Sequence, residues 1–364
     1  MKLSVTQENL NKALGAVSRV ASSKTPLPVL NNILLRTDNN RLIVAATNLE
    51  VAIVQHIGAK VTTNGAVTVP ARLMTEFISN LPKANVELNA EHARLSIVSG
   101  NFSSTINGVE AEEFPEIPTI SDPVTVAVST EIFKRAVSQT VIAASSDSTR
   151  PILTGIYIHS FEGNLYFVGT DGYRLAERRL IATDAAINSV VPATTMSEVL
   201  RVIPEGLEQV EIEFDDSQVH FKLGDIEVTS RLIDGAFPDY RKLIPEQTEI
   251  TVDIEKSELA RIVKVASLFA RESGGSITLK ADETAKKLII NSVASQLGEN
   301  TSEADAKVTG DGQVTLNSRY VLEALGTIDA DSIVFGFSGR LSACVLRQAA
   351  KDRDYQHIVM PLKS

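Results

Sequence analysis

The sequence has no tryptophan, and aromatic residues make up only 5% of its 364 positions. Broad aromatic platforms for stacking single-stranded bases are therefore not expected. One cysteine, Cys344, excludes an internal disulfide and points to a reducing compartment. The opening Met1-Lys2-Leu3-Ser4-Val5-Thr6-Gln7-Glu8 turns polar too early for a secretory signal, and no apolar run nears the roughly 20 residues of a membrane span. A soluble, cytoplasmic protein with no membrane partner is the expectation. No GxxxxGK[ST] or GxGxxG loop is present, and the histidines (His56, His92, His159, His220, His357) have no metal-ligand spacing. Neither a nucleotide cofactor nor a metal is indicated. The net charge of −10 argues against tight, nonspecific wrapping of nucleic acid, while leaving room for a local basic face.

What the sequence does contain is itself, three times. Leu42, Leu165 and Leu288 sit in similar apolar runs at 123-residue intervals. Thr47-Asn48 and Thr170-Asp171 keep that interval, as do Phe114-Pro115 and Phe237-Pro238. Val69-Pro70 and Val191-Pro192 each open a helical segment, where proline's missing N–H is not needed, and Asn317 can cap the third. A repeat this long is a domain rather than a solenoid unit. Each copy reads as a short strand, an amphipathic helix, several strands of period two, a second helix and closing strands. An α+β fold of three similar domains, 1–121, 122–246 and 247–364, is expected, with helices on one side of antiparallel sheets.

The first helix of each copy carries an apolar stripe: Leu10, Leu14 and Val17; Phe133, Val137 and Ala144; Leu259, Val263 and Ala266. Two residues past the first anchor stands a basic side chain: Lys12, Arg135 and Arg261. Arg19 and Lys264 also point away from the core. On the second helices Arg72 and Arg319 match, but Thr194 breaks the pattern. A basic helix surface is often merely solvated; three matching slots in an acidic chain favour a shared surface that faces a polyanion.

Thr170-Asp171-Gly172-Tyr173-Arg174-Leu175-Ala176 resembles the TDG(H/Y)RLA signature of bacterial sliding clamps, the β subunit of DNA polymerase III. Asp234-Gly235-Ala236-Phe237-Pro238-Asp239-Tyr240-Arg241 and the ending Ile358-Val359-Met360-Pro361-Leu362-Lys363 are similar to two further segments of that family, and the resemblance spans the whole chain. It implies a noncatalytic processivity factor: a head-to-tail homodimeric ring, with helices lining the interior and sheets outside, that encircles duplex DNA without reading its sequence. It also implies a pocket for partner peptides built from Leu153, Thr170, Gly172, Tyr173, Arg174 and Leu175, with Pro238, Leu243, Ile358, Met360, Pro361 and Leu362. Arg174 would help to orient the peptide. The implied partners are the polymerase catalytic subunit, the clamp loader, and other clamp-motif proteins such as translesion polymerases, mismatch-repair proteins, ligase and an initiation regulator, at the nucleoid. Lys24, Arg72 and Arg150 match positions near DNA, and Thr194 and Thr195 stand where some clamps carry basic residues. Leu268 and Phe269 match one side of the family's dimer seam and Ile106 the other. Ser104 replaces an aromatic residue there, with Phe102 two positions earlier, and Ser364 ends the chain where an apolar residue is usual.

One rival reading is an enzyme that works on a phosphorylated substrate through the Asp171-Gly172 loop. It is the weaker one, because the matching positions are Asn48 and Ala294 and no partner histidine lies nearby in sequence.

Overall fold

The computed structural model describes residues 1–21, 27–296, 298–349 and 354–363. Lys24 and Ser364 lie outside them. Among the described residues there are six α-helices, two per copy of the repeat: α1 Gln7–Ala21, α2 Ala71–Ser79, α3 Thr130–Val141, α4 Ala193–Val202, α5 Lys256–Phe269 and α6 Ser318–Thr327. The expected order recurs each time. Strands Lys2–Thr6, Val124–Ser129 and Ile250–Glu255 run directly into α1, α3 and α5. The strands pair antiparallel throughout, so the chain is a three-domain α+β protein.

The apolar stripes do what their spacing demands. Leu10, Leu14 and Val17 on α1, Phe133 and Val137 on α3, and Leu259, Val263 and Ala266 on α5 are all buried. Each side chain of this size, taken out of water, contributes roughly 1.5–3 kcal/mol, which holds the helices to their sheets. Ala144 departs from the expectation. Helix α3 stops at Val141, the Thr140 hydroxyl donates back to the Ala136 carbonyl at 2.7 Å, and Ala143 takes the buried place. The second helices start where expected. Pro70 is the residue that caps α2 rather than its first helical residue. Asn317 caps α6, its Oδ1 accepting the Arg319 N–H at 2.9 Å.

The described residues form two compact units, which cut across the repeat: Met1–Thr130 with Ser197–Leu232, and Glu131–Met196 with Ile233–Ser364. The cause is strand pairing. In the first unit, Val51–Gly58 pairs with Ile226–Arg231, so strands from two copies share one eight-stranded sheet. In the second, Arg174–Ala182 pairs with Tyr355–Val359 inside a nine-stranded sheet. Each unit also has a smaller sheet. The first has five strands and ends at the edge strand Phe102–Asn107; the second has four and ends at Gly298–Asp305.

Helix ties follow the same sharing. Arg201 of α4 donates to the Gly15 and Ala16 carbonyls of α1, at 3.1 and 2.7 Å, while Glu198 holds its guanidinium. In the second unit Gln139 of α3 donates to the Thr327 carbonyl of α6 at 3.1 Å, and the Tyr355 hydroxyl bridges the Gln139 and Thr327 region.

Candidate functional site

The motif at Thr170–Leu175 is a strand end, a tight turn and the start of the next strand. Asp171 makes the turn: its Oδ1 accepts the N–H groups of Tyr173 at 2.8 Å and Arg174 at 3.0 Å. The Thr170 hydroxyl donates to the Arg174 carbonyl at 2.6 Å and accepts the Gly172 N–H at 3.1 Å. Gly172 has φ +91°, where a side chain would be strained. Asn48 builds the same turn in the first copy, its Oδ1 accepting from Glu50 at 3.0 Å and Val51 at 2.9 Å. The recurring Thr-Asn and Thr-Asp pairs are therefore side-chain-to-backbone turns.

The turn presents Tyr173 to solvent, 60% exposed, and buries Arg174 to 7%. The Arg174 guanidinium is consumed within the protein. Its Nε donates to Asp171 Oδ2 at 3.1 Å, its Nη1 bonds Glu323, and it lies 4.5 Å over the Tyr320 ring. Arg319 holds the same carboxylate of Glu323 from one turn away, at 2.7 Å. Burial disfavours the charged carboxylate of Glu323, yet the two arginines outweigh it and its pKa is lowered. Arg174 is thus a pillar under the turn, with its charge matched by Asp171 and Glu323.

The C-terminal strand completes the surface. Val359 and Ile358 lie opposite Arg174 and Leu175, the Met360 N–H donates to the Tyr173 carbonyl at 2.8 Å, and the Leu362 N–H to the Thr315 carbonyl at 2.8 Å. Leu153, Thr170, Leu175 and Ile358 are buried, forming support; Met360, Pro361 and Leu362 are half-buried; Pro238 and Leu243 are exposed. All twelve expected pocket residues lie in the second compact unit. Leu175 and Ile358 pack in a small core with Val168, Tyr240 and Val345.

Sequence reasoning missed the stack beside this core. Tyr157 lies between His159 and Phe237, with ring centroids 4.4 and 4.7 Å away. The Tyr240 hydroxyl donates to Glu177 at 2.6 Å and meets His159 Nε2 at 2.9 Å. Burial, with help from Arg241, pulls the His159 pKa down from 6.5 to about 4. Only the Phe237-Pro238 repeat hinted at this stack.

The basic slots lie as the helix spacing requires. Lys12, Arg19, Arg72, Arg261 and Lys264 are exposed, and Arg135 is half-buried. Several are countered locally: Arg72 by Glu76 at 2.9 Å, Arg135 by Glu131 at 3.1 Å and Asp329 at 3.6 Å, and Arg261 by Glu258. Thr194 is exposed but Thr195 is buried, so only the former stands at the surface. Arg150 is drawn to Asp147 at 3.8 Å and lies against Gly172, beside the motif turn. At the expected seam, Leu268 is 49% exposed and Phe269 half-buried. Ile106 differs. It faces its own sheet's core, 5% exposed, and Phe102 is the apolar side chain that its strand shows to solvent.

Asp171 has no oxygen to spare for chemistry, since Oδ1 serves two backbone N–H groups and Oδ2 serves Arg174. Among the described residues no three potential ligands gather into a metal site, and no helix is long and apolar enough to cross a membrane.

A chain of three similar α+β domains, each with two helices packed on antiparallel sheets, has the construction of a clamp. Models of the DNA polymerase III beta subunit match it three times: the N-terminal domain at residues 1–118, the central domain at 127–239 and the C-terminal domain at 241–363. The beta sliding clamp of Staphylococcus aureus is 27% identical, and that of Staphylococcus epidermidis 28%, each over the whole of both chains. The sliding clamp structure from Bacillus subtilis superposes with a TM-score of 0.95 at 26% identity, covering 100% of this chain and 99% of that one. The beta subunit from Pseudomonas aeruginosa gives 0.95 at 26%, covering all of both. The chain belongs to the DNA polymerase III beta subunit family, the DNA sliding clamps. It is a clamp subunit, not an enzyme.

Proposed function

We propose that two copies of this chain join head to tail in a ring that encircles duplex DNA. The observation that carries this reading is the pair of incomplete sheets. The five-stranded sheet ends at Phe102–Asn107 and the four-stranded one at Gly298–Asp305, each edge unpaired among the described residues. Unpaired edges invite pairing, and the two joined across a seam would equal the nine-stranded sheet already present. Phe102, Leu268 and Phe269 would seal that seam, with Ile106 supporting it from within. The domains would run 1–121, 122–246 and 247–364.

The helix surfaces carrying Lys12, Arg19, Arg72, Arg135, Arg261 and Lys264 would face the duplex, with Arg150 near it. Their glutamate partners moderate the field. That suits a ring that holds DNA by topology and must slide on it, because fully committed phosphate contacts would add friction. The surface around Tyr173, Leu243 and Met360 would receive a short linear motif of the polymerase catalytic subunit, the clamp loader and other clamp-motif proteins, in the cytoplasm at the nucleoid. Exposed Leu243 and half-buried Met360 supply apolar walls that can adapt to several side chains. Negative-stain electron microscopy of the purified chain tests the ring. Closed particles with a central hole are expected; solid particles or open crescents at micromolar concentration would refute closure through these edges.

A further inference from the structure

The first compact unit has a counterpart of the aromatic stack described above, with Phe114 in the place of Phe237 and the tyrosines missing. Strand pairing fixes the correspondence. Asn32–Asp38, Arg41–Thr47 and Val51–Gly58 match Gly155–Phe161, Asn164–Thr170 and Arg174–Ala182, and Ile226–Arg231 pairs with Val51–Gly58 as Tyr355–Val359 pairs with Arg174–Ala182. On this scheme Leu34, Ile43 and Ile117 stand where the second unit has Tyr157, Tyr166 and Tyr240. Three aliphatic side chains replace three tyrosines. In the second unit those rings pack into the small core. In the first, Leu34, Ile43, Ala45 and Phe114 form a floor, and a cavity of about 1040 Å³ opens above it beneath the Ala111–Ile120 strap.

The polar chemistry is conserved across the two places although the side chains differ. In the second unit Glu177 lies opposite Gln356 and accepts the Tyr240 hydroxyl at 2.6 Å. In the first, Val54 lies opposite Glu227, so the carboxylate has moved to the neighbouring strand of the same cross-strand pair. There Glu227 faces the cavity between two imidazoles, His56 Nε2 and His220 Nε2, each 3.7 Å away and beyond hydrogen-bond reach. Ile117 offers it no hydroxyl. The cavity has an apolar floor, a carboxylate acceptor at its wall and room for an aromatic ring. Its rim is acidic, with Glu112 and Glu116 on the strap against Arg36 alone.

We propose that this cavity is a second docking site, for a tyrosine or tryptophan side chain on a basic peptide segment of a partner protein. The ring would occupy the space that tyrosines fill in the second unit and donate its O–H or N–H to Glu227, while flanking lysines or arginines meet the strap glutamates. The proposal does not depend on ring closure or on the surface around Met360, so its failure would leave those readings untouched.

The test uses the full chain and an acetylated, amidated Lys-Lys-Tyr-Lys-Lys peptide, with binding followed by calorimetry and by NMR of the histidine rings. The tyrosine peptide is expected to bind at least tenfold more tightly than the same peptide with alanine or with glutamate flanks, and to shift the His56 and His220 ring signals. Ile117→Tyr, which restores the missing ring, is expected to weaken binding at least tenfold. Glu116→Lys, an exposed change on the strap that leaves the core intact, is expected to do the same if the first variant folds poorly. Equal binding of the alanine peptide, unmoved histidine signals, or binding unchanged in a folded Ile117→Tyr or in Glu116→Lys would overturn the proposal.

Discussion

Asp171 offers a way to separate the two jobs that its carboxylate performs. Oδ1 closes the turn through two N–H groups, and Oδ2 shares the buried Arg174 with Glu323. Asp171→Asn keeps an oxygen for the turn but removes one of the two charges on Arg174. Because Glu323 remains, the cost stays below the 3–5 kcal/mol of stripping a buried ion of its partner, and about 1–2 kcal/mol is expected. Asp171→Ala also removes the turn acceptor. Two further hydrogen bonds at roughly 0.5–1.5 kcal/mol each bring its cost to about 3 kcal/mol. Hydrogen exchange measured by mass spectrometry across Thr170–Leu175 reads this locally and does not require the three-domain chain to unfold in one step. Exchange in Asp171→Ala should be on the order of tenfold or more faster than in wild type, with Asp171→Asn between the two. Binding of a clamp-motif peptide should weaken in the same order, since Tyr173 rides on the turn. Equal exchange in both variants would refute the division of labour. Turnover of a phosphorylated substrate by the wild type, lost in Asp171→Asn, would revive the enzyme reading.

Other consequences follow from the same geometry. Met360→Ala combined with Leu243→Ala should abolish binding of the clamp-motif peptide and leave the dimer intact by light scattering; Leu175→Ala is a poorer probe, because its side chain is 2% exposed and truncating it costs about 2–5 kcal/mol of stability. Lys12→Glu with Lys264→Glu should shorten retention on circular DNA without changing the melting temperature, and unchanged retention would remove the basic slots from the mechanism. The Glu323 carboxyl has a lowered pKa when folded, so its stabilisation is complete above about 4.5 and is lost as pH falls through the folded value; Glu323→Gln should flatten that acid limb of the melting profile. His159 titrates at about 4 when folded and near 6.5 when unfolded, so the unfolded chain gains the proton first and stability declines as pH drops from 6.5 to 4; His159→Gln should remove that part of the decline, at most roughly 3 kcal/mol.

The sequence disclosed whatever is periodic or local. Helix stripes repeat every few residues, so α1, α3 and α5 and most of their buried faces could be read from spacing, as could the start of α2 beside Pro70 and the cap at Asn317. The turn at Asp171 was visible as a repeated pair, because its hydrogen bonds close within three residues. What stayed hidden depends on partners far along the chain. Nothing near Arg174 in the sequence announces Glu323. Arg201 reads as an ordinary helix surface residue until α1 is laid beside it. Ile106 was assigned to the seam by resemblance; it shares a strand face with Phe102, but Ile106 is covered by its own sheet's core while Phe102, at the start of the strand, stays exposed. The repeat likewise suggested self-contained domains. Pairing of Ile226–Arg231 with Val51–Gly58 makes the sheets common property instead, and no single copy could show that.

Topological linkage is the central claim, and it can be measured directly. The chain is loaded onto nicked circular plasmid with a clamp loader and ATP, freed of unbound protein by gel filtration, and filtered again after one restriction cut. Co-elution with the circle and release on linearisation are the expected result. Retention on linear DNA as firm as on the circle, at moderate salt, would mean that contacts rather than a closed ring hold the protein, and would contradict the sliding-ring mechanism.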